Sequence, residues 1–259
     1  MDPSSASEDS RGPLINAPDV VTGWATRSVD GQQVSVFSAE PHAVQQTAIG
    51  VILGFELFGI TEYVKSVAER LAAVGYRVAV PDYYFRAGER RTFGSGETER
   101  ENAFDALATV DRPAALAATR VAIDALEGCL TVGFLGLSVG GHIGLAVAPD
   151  VPIDRVAAFY PTFLNGEPMV VSGSEPTMKS LGRLGERPVL LFFGSEDALC
   201  PPDYVAEIEM VLEANGVPHR TVTYPGAAHG FACQDRPSYN ADADADSWQQ
   251  TLSFLAGGS

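Results

Sequence analysis

Cysteine is scarce: Cys129, Cys200 and Cys233 are the only three in 259 residues, widely spaced and with no CxxC pair. An odd, scattered set excludes a disulfide framework and leaves reduced thiols. Basic residues are also few, 17 Lys and Arg against 33 Asp and Glu, giving a net charge of −16. Such a surface repels phosphate backbones and anionic membrane surfaces, so neither nucleic acid nor membrane is an expected partner. An anionic substrate would have to be drawn in by locally placed arginines. No apolar run approaches the roughly 18 residues of a membrane span. The start, MDPSSASEDSRGP, lacks the basic and apolar regions of a signal peptide. A cytoplasmic location is therefore expected. HExxH and HxxxH spacings are absent, so no metal and no cofactor is expected to take part in catalysis.

What is present is an ordinary globular balance, 46% hydrophobic and 19% charged residues. A chain of this length buries roughly 70–75% of its unfolded surface and needs no staple. Residues 1–18, rich in Ser, Asp and Pro, read as a disordered leader, and residues 19–259 as one domain. Val20–Ser28 and Gln32–Ser38 flank Asp30-Gly31, a hairpin signal. Thr47–Gly54 is a strand buried on both faces. Ile60–Val74 has helical spacing and ends at Gly75. Strands follow at Arg77–Val80, Leu130–Leu135, Val156–Tyr160, Val189–Phe193 and Arg220–Tyr224, and helices at Pro113–Leu126, after Ser138, at Tyr204–Asn215 and at Asp242–Leu255. Residues 86–100 and 163–186 read as loops. Alternation of this kind implies an α/β fold, a mostly parallel sheet with helices on both faces. With no exposed apolar stripe, a monomer is expected.

Gly136-Leu137-Ser138-Val139-Gly140 matches G-x-S-x-G. In an α/β-hydrolase such a serine sits on a strained turn between strand and helix, and the flanking glycines let the chain pass closely. Its hydroxyl then stands at a helix N-terminus, where free N–H groups favour an oxyanion. The five residues alone are weak evidence, but an apolar strand precedes them and a small-residue helix, VGGHIGLAVA, follows. A dinucleotide loop is excluded because the glycines do not form G-x-G-x-x-G.

A serine needs a base, usually histidine held by a carboxylate, and this fold orders them Ser, Asp or Glu, then His. Four histidines exist. His42 precedes the serine, His219 opens a strand at the wrong end for a site, and His142 on the elbow helix suits packing or capping. His229 lies in a loop directly after a strand, where α/β sheets place their sites. The carboxylate belongs after the preceding strand, where Glu196 and Asp197 compete. Glu56 is a charge closing an apolar strand, where burial raises its pKa unless it is paired. Asp242, Asp244 and Asp246 after Asn240 read as a helix cap and acidic first turn, with Ca²⁺ binding the weaker alternative.

Several segments together resemble the dienelactone hydrolase family from about residue 25 to 255: Gly54-Phe55-Glu56-Leu57-Phe58-Gly59, Val80-Pro81-Asp82-Tyr83-Tyr84, Gly136–Gly141, Gly194–Asp197 and Gly226-Ala-Ala-His229-Gly-Phe. The resemblance implies an α/β-hydrolase fold and a triad of Ser138, Asp197 and His229, with Asp197 preferred to Glu196. It also implies that Glu56 lies beside the nucleophile and controls its protonation, and that the N–H groups of Leu57 and Val139 hold an oxyanion. Two departures stand out. The family's best-known members carry cysteine where this chain has Ser138, so His229 must act as a true general base. They also hold a substrate carboxylate with two arginines; one matches Arg100, but Cys233 occupies the other position, three residues before Arg236. The expected activity is hydrolysis of a small-molecule ester or lactone through an acyl-serine. A base-catalysed elimination or cyclisation using His229, and a non-catalytic binding protein, are the rivals.

Overall fold

The computed structural model describes residues 20–258 except 30, 43–48, 167–170, 172 and 174. The expected leader, residues 1–18, lies outside the described residues.

Eight strands form one sheet in the order β1-β2-β4-β3-β5-β6-β7-β8. β1 (Val20–Val29) and β2 (Gln32–Pro41) pair antiparallel as the expected hairpin, and β2 meets β4 (Arg77–Pro81) antiparallel. From β4 onward every pairing is parallel: β3 (Ile49–Gly54), β5 (Thr131–Leu137), β6 (Arg155–Phe159), β7 (Val189–Gly194) and β8 (His219–Tyr224). β7 is buried along its whole length, as its unbroken apolar run VLLFFG requires of a strand covered on both faces.

On one face, α3 (Arg112–Ala125), α4 (Val139–Val147) and α6 (Pro202–Ala214) form a layer, with the single-turn α5 (Thr177–Ser180) between α4 and α6. α1 (Glu62–Ala73) and α7 (Ala241–Leu255) cover the other face, where the Arg70 guanidinium lies 4.0 Å from the Trp248 ring. Local chemistry fixes the ends. Thr61 caps α1 by accepting from the Val64 N–H, Asp111 caps α3 from Ala114, and Asn240 caps α7 from Ala243. Two of the three carboxylates after Asn240 have separate employment, which favours the cap reading: Asp244 faces Arg70 and Tyr239, and Asp246 accepts from the Tyr224 hydroxyl.

Helical turns lie in both stretches expected to be loops: the single-turn α5 within 163–186, and a longer helix at the end of 86–100. α2 (Glu97–Leu107) begins inside the charged stretch 86–100. Its sequence, ETERENAFDAL, buries only Ala103, Ala106 and Leu107, so it carries almost no apolar periodicity to read. Glu97 and Glu99 in its first turn complement the helix dipole instead.

β3 is the switch point of the sheet. The chain leaves it toward β4 on one side, then returns to lay β5 on the other. The crevice outside the C-terminal ends of strands at such a point is where open α/β sheets bind ligands. Here the segments after β3, β5, β7 and β8 meet.

Candidate active site

Ser138 follows β5 directly and has φ +52°, ψ −116°, a left-handed conformation costly for any residue with a Cβ. The turn closes because its surroundings are backbone only. A Cβ on Gly136 would stand 2.4 Å from the Gly141 Cα, and one on Gly140 would stand 2.4 Å from the Gly54 carbonyl carbon. The glycines of the elbow therefore let β5, α4 and the end of β3 touch.

Ser138 Oγ lies 3.0 Å from His229 Nε2, and His229 Nδ1 lies 2.8 Å from Asp197 Oδ2. Asp197 is fully buried on its side chain. Its other oxygen accepts the N–H groups of Leu199 (2.8 Å) and Cys200 (3.1 Å), which fixes the carboxylate in place. Glu196, the competitor, is exposed to solvent. The Asp197 and His229 loops can approach because Gly194 has no side chain; a Cβ there would stand 2.2 Å from the Ala227 oxygen. The ring of Tyr160, itself at φ +40°, meets the His229 ring edge-on at 4.8 Å.

Asp197, His229 and Cys200 bring three donor atoms within 4.8 Å of one another. This group does not suit a metal. The carboxylate is committed to His229 and two N–H groups, and burial with the nearby Asp197 charge pushes the Cys200 thiol far above its ordinary range, where it stays protonated. That thiol donates weakly to the Pro161 carbonyl.

The N–H groups of Leu57 and Val139 find no backbone acceptor among the described residues. Both residues line a narrow cavity of about 50 Å³ with Ser138 and His229. Val139 is the first residue of α4, so its N–H is one of the free donors at a helix start. Leu57 is held from the other side: its carbonyl accepts the Tyr84 hydroxyl at 2.8 Å. Tyr84 is in turn fixed by Asp82, which is buried and accepts the N–H groups of Tyr84 (3.0 Å) and Arg90 (2.7 Å).

Glu56 is buried behind the cavity. Burial pushes its carboxyl above the usual range, opposed by the Arg236 and His229 charges and by the Tyr160 hydroxyl. Arg236 Nη2 bonds Glu56 Oε2 at 2.6 Å, and its guanidinium lies 5.2 Å from the Phe58 ring centre. Arg236 lines the cavity together with Arg100, which α2 carries to its rim. Cys233 brings no guanidinium to the cavity, and Arg236, three residues further along, lines it instead. Cys233 is buried, its thiol pushed up to about 11 by burial and by Glu56, while Arg236 brings positive charge back from one turn further along. Phe104, Phe163 and Leu199 supply apolar walls.

His142 is packed, as its place on the elbow helix suggests. It is fully buried, with Nδ1 donating to the Thr162 carbonyl at 2.9 Å and Nε2 accepting the Thr177 hydroxyl at 2.6 Å. Burial holds its pKa down at about 4, against an ordinary 6.5. Between these values the unfolded chain binds a proton at His142 that the folded chain refuses, so stability falls as pH drops through this window. A loss of about 3 kcal/mol by pH 4 is expected. Urea titrations between pH 7 and pH 4 check it, and the His142→Gln variant should lose this part of the slope. An unchanged slope would contradict a neutral buried imidazole.

No helix among the described residues is long and apolar enough to cross a membrane. The profile of the Dienelactone hydrolase family matches residues 34–258. A Synechocystis protein provisionally named a carboxymethylenebutenolidase is 30% identical over 90% of this chain and 95% of its own length. The carboxymethylenebutenolidase of Rhodococcus opacus is 29% identical over 83% of this chain and 84% of its own. A crystal structure provisionally assigned as a dienelactone hydrolase, from Klebsiella pneumoniae, superposes with a TM-score of 0.80 at 26% identity, covering 92% of this chain and 99% of that one. The protein is a hydrolase of ester or lactone bonds and belongs to the dienelactone hydrolase family.

Proposed function

We propose that the chain cleaves a small ester or lactone through an acyl-serine on Ser138. The observation that carries this reading is the hydrogen-bonded line Ser138–His229–Asp197 at 3.0 and 2.8 Å. Serine has no accessible anionic ground state, so its proton must leave as the bond to carbon forms. His229 Nε2 takes that proton while Oγ attacks the carbonyl carbon. Asp197 keeps the Nδ1 proton in place and stabilises the imidazolium. The tetrahedral oxyanion falls between the N–H groups of Leu57 and Val139. Transfer of that proton from His229 to the leaving oxygen expels the alcohol, which for a lactone stays attached to the acyl group. Water, deprotonated by the same nitrogen, then releases the acid and restores Ser138.

Glu56 is not needed as a proton acceptor in this scheme. Its ion pair with Arg236 holds a guanidinium at the cavity, where it stands with Arg100. On a chain of net charge −16, these two side chains suit a substrate that carries its own carboxylate. Elimination or cyclisation by His229 would leave Ser138 idle, and the 3.0 Å contact favours the acyl route.

Partitioning tests the intermediate. Acetate esters with different leaving alcohols are hydrolysed with methanol present, and methyl acetate is compared with acetate. A single acyl-enzyme gives one product ratio for every ester; a ratio that follows the leaving group would sink the proposal.

Leu57 also makes a prediction. Tyr84→Phe removes the hydroxyl that anchors its carbonyl, leaving a buried acceptor unsatisfied at a cost of about 1–3 kcal/mol. If Leu57 holds the oxyanion, kcat should fall about tenfold while KM stays near its wild-type value. A rise in KM alone would place Tyr84 in substrate binding instead.

A further inference from the structure

A larger cavity, about 310 Å³, lies at the opposite edge of the sheet, at the N-terminal ends of β6, β7 and β8. β7 spans six residues, so about 20 Å of strand separates it from the chemistry. Its walls are apolar: Pro188, Val189, Pro218 and the Phe254 ring. Its rim is not, for Arg155, His219 and Arg220 all line it.

The two arginines of this rim meet no carboxylate among the described residues, as Arg91, Arg100 and Arg120 also do not. Arg70, Arg77, Arg86, Arg90, Arg112, Arg183 and Arg236 each meet a carboxylate. Among the described residues Arg155, Arg220 and the adjacent Arg187 make no ion pair, although acidic residues outnumber basic ones 33 to 17. Arg187 is spent on the Ile153 and Leu184 carbonyls. Arg155 caps the end of α7 by donating from Nη1 to the Phe254 carbonyl, and its guanidinium lies 5.6 Å from the Phe254 ring centre. Its Nε is buried with no hydrogen-bond partner. A buried, unsatisfied donor on a cation is costly, and an anion in the adjoining cavity answers the charge of the same guanidinium. Arg220, exposed at the rim on β8, adds a second permanent charge.

We infer that this cavity is a second ligand site, which takes a small amphipathic carboxylate. The charged head meets Arg155 and Arg220, and an aromatic or short acyl body lies on Phe254, Val189 and the two prolines. A neutral ligand of the same shape would leave both guanidinium groups unanswered, so the charge is what selects.

The test is amide NMR of the full chain titrated with 4-phenylbutyrate, with 4-phenylbutan-1-ol as the neutral control. Saturable shifts are expected at Val189, His219, Gly257 and Gly258, with binding of the alcohol about tenfold weaker. Arg155 holds the end of α7, so its replacement risks the fold. The exposed Arg220 does not, and Arg220→Gln should weaken the acid about tenfold while leaving the alcohol unchanged. Shifts confined to residues around Ser138, equal binding of acid and alcohol, or an Arg220→Gln variant that binds the acid as well as wild type would each overturn the inference.

Discussion

Replacing Ser138 with alanine is expected to lower kcat for ester hydrolysis by about 10⁴–10⁶-fold, since in the proposed mechanism it removes the atom that forms the acyl bond. His229→Ala should fall into the same range, and the double variant should be scarcely worse than either single one. Residues that act as one unit are grossly non-additive, because once one is lost the others have no step to assist. Steady-state rates on one ester across the three variants check this. The pattern also separates the rival chemistry. A reaction in which His229 alone draws off a proton would survive Ser138→Ala and fail in His229→Ala. The residual rate in all three should still exceed that in water, since the Leu57 and Val139 N–H groups are untouched.

The second large effect concerns stability. Arg236→Leu strands the buried Glu56 carboxylate, and the loss is expected to be about 3–5 kcal/mol at pH 8. The sign with pH follows from the direction of the Glu56 shift. Its folded pKa lies above the ordinary value, so above that value the native state holds a proton that the unfolded chain has released, and stability falls as pH rises. Arg236 opposes this shift. Without it the carboxyl stays protonated to higher pH, and the penalty for folding grows from pH 5 to pH 8. Urea titrations at these two values should show the variant closer to wild type at the lower one. The double variant Glu56→Leu with Arg236→Leu should recover most of the loss, since removing both partners leaves no uncompensated charge. A loss that is equal at both pH values would mean that Glu56 is not the group left behind.

Much of this site is legible in the sequence because its parts are local. The elbow is five consecutive residues whose glycines answer a backbone contact, and the strand–turn–helix setting around Ser138 is visible as an apolar run followed by VGGHIGLAVA. The strands β3, β5 and β7 announce themselves by continuous apolar runs, since both their faces are covered. What is hard to read is non-local or apolar-poor. α2 is stabilised by end charges and a short buried strip, so it hides in a charged segment, and with it the reason why Arg100 reaches the cavity. Glu196 and Asp197 are indistinguishable by position in the chain; the resemblance alone prefers Asp197, and the physical difference, burial and the Leu199 and Cys200 N–H groups, is visible only in the structure. The Arg236–Glu56 pair joins residues 180 positions apart. Its only trace in the sequence is an unexplained charge at the end of a strand and an arginine three residues past an expected one. The Tyr84–Leu57 bond, and Asp82 behind it, leave no trace beyond the Pro81-Asp82 segment itself.

The most direct measurement of the central claim is intact-mass spectrometry after incubation with a fluorophosphonate, on wild type and Ser138→Ala side by side. One adduct on wild type and none on the variant is the expected result, because only a serine with a base at 3.0 Å and N–H groups facing the new oxyanion reacts stoichiometrically. An adduct of equal yield on both proteins, or on neither, would contradict Ser138 as the nucleophile.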